Sequence, residues 1–241
     1  MTDTEPEREL APRSDPWSDL ALTLPLFLGY HLGVVFLPVR NAADLVTKKL
    51  VEFADDNLAA YAAFTLAIGV IFVGVLALHG RRRELHWQRF AWVLSEGIVY
   101  AIAMRLAAGY LVGKLKLDAG APDASAPLGA FAGIVLSLGA GFYEEITFRV
   151  LLFGFGVKVL RLFAEPISEG KARLLGFGWS LVAAAAFSGW HYVGPLGDPF
   201  EIRSFVFRWV CGLAFTLIYT LRGFAPVVWT HVVYDVWVLV L

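Results

Sequence analysis

Cysteine occurs once in this chain, at Cys211. One thiol cannot close an intrachain disulfide, and it says little about redox compartment. Charge is scarce as well: Asp, Glu, Lys and Arg make up 17% of the residues, where a soluble domain carries about a quarter. The two signs nearly cancel to a net −1, which gives no electrostatic footprint for nucleic acid. No internal repeat is visible. No secretory leader is expected either, because the first residues are acidic and no small-residue cleavage site follows the first apolar run. What fills the space is apolar. Of the 241 residues 58% are hydrophobic and 15% aromatic, with a mean hydropathy of +0.65.

Several apolar runs approach or exceed the roughly 20 residues that cross about 30 Å of hydrocarbon. The composition predicts an all-α, polytopic transmembrane bundle of seven or eight spans around a polar intramembrane cavity. Residues 1–17 read as a disordered polar tail, and 18–241 as a single transmembrane domain. The spans fall near 19–38, 57–79, 89–112, 127–160, 174–194, 204–221 and 223–241, with an amphipathic interfacial piece at 40–55 and a flexible turn at 120–127. With seven crossings and the N-terminus inside, eleven Lys and Arg lie on the inner side against six outside, in keeping with the positive-inside rule. Segment 127–160 would be about 50 Å long as one helix. Gly139 and Gly141 are expected to kink it, and two crossings there would raise the count to eight.

Ionisable residues at membrane depth are costly and mark function. Glu144, Glu145 and Arg149 lie within one apolar segment. Glu145 and Arg149, four apart with the acid first, are placed to pair. Glu144 is rotated by about 100°, which leaves it available as a general acid or base. Both acids clamping the arginine is the competing structural reading. Phe187 and His191 share a face of a second segment, and His231 and Asp235 share a face of a third. His31, alone in the first span, reads as a hydrogen-bonded core residue. Glu96, Arg105 and Arg208 read as structural charges that find partners elsewhere or snorkel. Ala183 to Ala186 and Gly189 suit close helix packing.

The ordered trio Glu144-Glu145-x-x-x-Arg149, Phe187-x-x-x-His191 and His231-x-x-x-Asp235 resembles the CPBP family, over about 127–241. That family includes type II CAAX prenyl endopeptidases and bacteriocin-processing and abortive-infection proteins. The resemblance implies a glutamate-type intramembrane endopeptidase, acting on a membrane-anchored or lipidated protein or peptide within a bilayer; the Ala-, Gly- and Arg-rich composition points to a bacterial host, so the expected location is multi-pass in a bacterial inner membrane. Glu144, His191, His231 and Asp235 would be catalytic, with Glu145, Arg149 and Phe187 in support. No metal or other cofactor is implied. Asp235 departs from the asparagine usual in the prenyl endopeptidases. An ionised aspartate cannot donate to an oxyanion, so Asp235 either holds a proton or orients His231. Two further readings stay open: a zinc protease using Glu144, His191 and His231, although no His-Glu-x-x-His pairing is present, and a non-enzymatic transporter or immunity protein.

Overall fold

The structure, a computed structural model, describes residues 16–37, 57–79, 87–115, 129–164, 168–193 and 197–241. The interfacial piece expected at 40–55 and the turn at 120–127 lie outside them, as does the tail up to residue 15. The tail ends slightly earlier than expected, since Pro16 already opens a helix.

Seven helices and no strand are present among the described residues. They are α1 (Pro16–Gly33), α2 (Leu58–His79), α3 (Gln88–Lys114), α4 (130–164), α5 (Glu169–Trp190), α6 (Ile202–Arg222) and α7 (Phe224–Leu239). Four of the helical stretches are long and apolar enough to cross a membrane: Pro16–Phe36, Gln88–Lys114, Glu169–Trp190 and Ile202–Arg222. Large apolar side chains such as Val70, Trp92, Leu106 and Phe163 point outward, the arrangement of a bundle whose solvent is lipid. The protein is a multi-pass helical membrane protein.

Helix α7 lies at the centre, packed against α1, α3, α4 and α6. Its start explains its position. Gly223 has φ 105°, a backbone conformation costly for residues with a Cβ, and it turns the chain sharply from α6 into α7. Pro226 then sits in the first turn, where no intrahelical donor is needed. The Phe224 N–H is satisfied by the Asp19 Oδ2 of α1 at 2.7 Å. Indole N–H groups, which need an acceptor when withdrawn from water, tie neighbouring helices together: Trp229 donates to the Leu22 carbonyl, Trp179 to Leu152 and Trp209 to Leu181.

The glycines of α4 do not divide it into two crossings. The helix runs unbroken from 130 to 164, and from Ala140 to Phe155 it is wound largely as π-helix. Gly139 and Gly141 serve close approach instead. A Cβ on Gly139 would collide with the Tyr30 ring, and one on Gly141 would meet the Val228 carbonyl and the Val232 amide of α7, each at 3.1 Å. The last stretch, Gly156–Ala164, buries no residue and carries Lys158 and Arg161. It packs along one side of α5, where Gly156 lies against the Trp179 ring. Ala183 and Ala184 are buried as packing residues should be, whereas Ala186 is exposed and Gly189 has open space around it.

The isolated charges find partners too distant in sequence to read. Arg222 at the end of α6 forks onto both carboxylate oxygens of Glu96 in α3. Arg105 lies over the Trp237 ring at 4.7 Å. His31 is a hydrogen-bonded core residue, as expected: its Nδ1 lies 2.8 Å from the Tyr61 hydroxyl and its Nε2 meets the Tyr143 hydroxyl. This contact joins α1, α2 and α4 one residue before Glu144.

Candidate active site

The π-wound part of α4 buries neighbouring residues together: Ala140 and Gly141, then Tyr143, Glu144 and Glu145, then Phe148 and Arg149. Hydrogen bonds spanning five residues put more side chains into each turn than an α-helix does, and such windings recur at functional sites. Two neighbouring glutamates can thereby both face the interior.

They do different things there. Glu145 is fully buried. Its Oε2 lies 3.1 Å from Arg149 Nε, an ion pair by distance in which the N–H is not aligned as a hydrogen bond. Its Oε1 lies 2.6 Å from Nδ1 of His231. Sequence spacing predicts only the first contact. The second makes Glu145 a bridge between α4 and α7. Arg149 is held further by the Gly212 carbonyl at 3.4 Å and by the rings of Phe187 and Phe215, 4.2 and 5.0 Å from its Cζ. A buried guanidinium needs such a cage, since burying charge without compensation costs several kcal/mol.

Glu144 points instead toward the C-terminal end of α5, where its Oε2 lies 4.0 Å from His191 Nε2. The histidine's tautomer follows from its other nitrogen. Nδ1 is 2.9 Å from the Phe187 carbonyl, which can only accept, so Nδ1 carries the proton. In the neutral ring Nε2 is then a lone pair facing the carboxylate. Phe187, on the same face, thus fixes His191 through its backbone while its ring supports Arg149.

His231 is sandwiched. Phe215 stacks on it at 4.6 Å and 20°, and Phe187 meets it edge-on at 5.9 Å. Its Nδ1 faces Glu145, and its Nε2 lies 3.5 Å from Asp235 Oδ2, beyond hydrogen-bond length. Of the two carboxylates beside this ring, Glu145 is the closer, and it rather than Asp235 sets the ring's orientation. His191, His231 and Asp235 all line one cavity of about 330 Å³, together with Arg208, Cys211 and Tyr234. The polar cavity expected within the bundle is present, at the junction of α5, α6 and α7.

Sequence reasoning assigned no chemistry to Cys211 or Arg208 of this lining. A periodic signal does mark them: Ser204, Arg208, Cys211 and Phe215 recur at helical spacing on one face of α6 and all line the cavity. The zinc reading needs Glu144, His191 and His231 on one point. His231 Nδ1 is already engaged by Glu145, and among the described residues no three His, Cys, Asp or Glu side chains form a metal-holding group.

Glu144 and Glu145 are not among the residues lining that cavity, but each faces a histidine that is, and paired carboxylates and imidazoles from three separate segments define a class: a membrane protein whose interior is equipped for acid–base chemistry. Residues 126–237 match the family described as Type II CAAX prenyl endopeptidase Rce1-like. That segment holds all three motifs, and the match supports the CPBP family and, in general, an intramembrane protease of the CAAX type. No curated protein and no solved structure matches the chain.

Proposed function

We propose that the protein is a glutamate-type intramembrane endopeptidase that hydrolyses a peptide bond of a membrane-associated or lipidated protein or peptide, in a bacterial inner membrane. The observation that carries the reading is the 4.0 Å span between Glu144 Oε2 and His191 Nε2, with the His191 tautomer set by the Phe187 carbonyl. One water molecule reaches both atoms at about 2.8 Å, ordinary hydrogen-bond length.

The chemistry then runs on this chain's own groups. Glu144, with His191 as the second acceptor, takes a proton from that water as its oxygen attacks the substrate carbonyl carbon. The carbonyl π electrons move onto oxygen and form a tetrahedral oxyanion. His231, protonated on both nitrogens, donates through Nδ1 to Glu145 and through Nε2 toward the oxyanion, an interaction worth about 3–4 kcal/mol where one such donor is removed from a catalytic site. Collapse of the intermediate breaks the C–N bond, and the proton held by Glu144 passes to the departing amine. Arg149 holds Glu145, and Glu145 holds His231, so the ion pair in α4 positions the oxyanion donor in α7. Asp235 lies at the cavity edge of the same ring.

The test compares wild type with Glu144→Ala, Glu144→Gln and His191→Ala for cleavage of membrane-anchored candidate substrates in proteoliposomes. Loss of a general base costs about 10²–10⁴-fold, and each variant should fall in that range. Full activity in Glu144→Gln would overturn the proposal, and proton-coupled flux without cleavage of any peptide would replace it with a transporter.

A further inference from the structure

Away from the catalytic cavity, α4 and α5 border a second hollow, of about 480 Å³. Lys171, Leu174, Leu175, Gly178 and Val182 line it, and their helical spacing puts them on one face of α5. Leu160, from the last stretch of α4, and Trp179 complete the lining. The indole of Trp179 is held by its bond to the Leu152 carbonyl at 2.8 Å. Leu174, Gly178 and Val182 are exposed, so the hollow opens to the outside of the bundle. Gly178 keeps it open, since a Cβ there would meet nothing within 4 Å.

Chemistry, length and charge together say what fills it. The lining is apolar except at Lys171, which suits a hydrocarbon chain with a polar head at one end. Lys171 lies two residues into α5, where a lysine reaches the headgroup layer by snorkelling. Eleven residues separate it from Val182, about 16 Å along the helix. One leaflet holds about 15 Å of hydrocarbon, half of the bilayer core. The hollow therefore runs the depth of one leaflet, from the interface inward. The charge at its mouth is positive. Residues 156–173 contain Lys158, Arg161, Lys171 and Arg173 against Glu165 and Glu169, and Glu169 is taken up by Arg173 at 3.5 Å. Basic pockets between membrane helices attract anionic headgroups.

We propose that this hollow binds one anionic phospholipid, with its phosphate at Lys171 and an acyl chain along Leu174, Leu175, Gly178 and Val182. The site lies apart from the hydrolytic groups and does not depend on the endopeptidase reading. Its occupant braces α4 against α5, the helix whose C-terminal end holds His191 opposite Glu144 of α4.

The test uses the full-length protein, stripped of lipid in a mild detergent and offered phosphatidylglycerol and phosphatidylcholine with matched acyl chains in equal amounts. Bound lipid is counted by native mass spectrometry, and thermal unfolding is followed with each lipid alone. Retention of phosphatidylglycerol should exceed that of phosphatidylcholine by at least about fivefold, the ratio that one basic group beside an anionic headgroup supplies. Lys171→Gln, at an exposed position, should remove most of that preference. Gly178→Leu should lose both lipids yet unfold at or above the wild-type temperature, because leucine fills open space and favours helix more than glycine does. Phosphatidylglycerol should raise the unfolding midpoint of wild type by several degrees and leave that of Gly178→Leu unmoved. Equal retention of the two lipids by wild type overturns the proposal, as does phosphatidylglycerol retention unchanged in both variants. A dimer that Gly178→Leu dissolves would give the hollow to a second copy of the chain and overturn it as well.

Discussion

Glu144 and Glu145 are neighbours in sequence with opposite tasks, and exchanging each for glutamine separates them. Glutamine keeps the shape and removes the charge. In Glu145→Gln, Arg149 loses its counter-ion in a site where its side chain is 1% exposed. Removing one partner of a buried ion pair costs about 3–5 kcal/mol, and the His231 contact at 2.6 Å weakens with it. For a chain of this size each kcal/mol moves the unfolding midpoint by about 2–4 °C, so the expected drop is on the order of 10 °C. Glu144 faces His191 across 4.0 Å, and that histidine is partly exposed. This longer contact is weaker than the 3.1 Å and 2.6 Å contacts of Glu145, and Glu144→Gln should unfold closer to wild type than Glu145→Gln does while losing cleavage. Differential scanning fluorimetry in a mild detergent, run beside a cleavage assay, reads both. Equal shifts for the two variants, or a thermally silent Glu145→Gln, would refute the division of labour between them.

Asp235→Asn should retain most of the activity or raise it, because Glu145 already orients His231 and an amide adds a donor beside the oxyanion; an inactive Asp235→Asn protein in the same cleavage assay would return the orienting role to Asp235. Gly141→Ala should cost about 1–3 kcal/mol as an overpacking change, since its methyl group collides with the β-branched Val232 side chain and meets α7 backbone just behind it, and a lowered unfolding midpoint checks this. Cleavage should survive exhaustive treatment with a chelator; activity lost with the chelator and restored by zinc would reinstate the metal reading.

The polar motifs are legible in the sequence because a membrane interior penalises charge: Glu144, Arg149, His191 and His231 stand out from an apolar background by composition alone. Local spacing also predicts the ion pair of Glu145 with Arg149, since both lie one turn apart on one helix. What spacing cannot carry is a contact between helices. Glu145 with His231, Glu96 with Arg222 and Asp198 with Arg208 depend on how separate segments dock, and no periodicity within one segment records that. The expected division of the segment into two crossings at Gly139 and Gly141 fails for the same reason. A missing side chain permits either a bend or a close neighbour, and only Tyr30 and Val228, on other helices, decide between them. The π-winding has no sequence marker at all, although it lets two adjacent carboxylates face one interior.

The bond from the Phe224 amide to Asp19 bears on how the protein is made. It fastens α1, which leaves the ribosome before α7, to the helix that carries His231. Until α7 has entered the bilayer, Asp19 lacks this partner and Glu145 has no histidine to hold. A chain in which α7 has not yet docked therefore lacks the contact of Glu145 with His231, and the buried polar cluster closes only once α1, α4 and α7 have met.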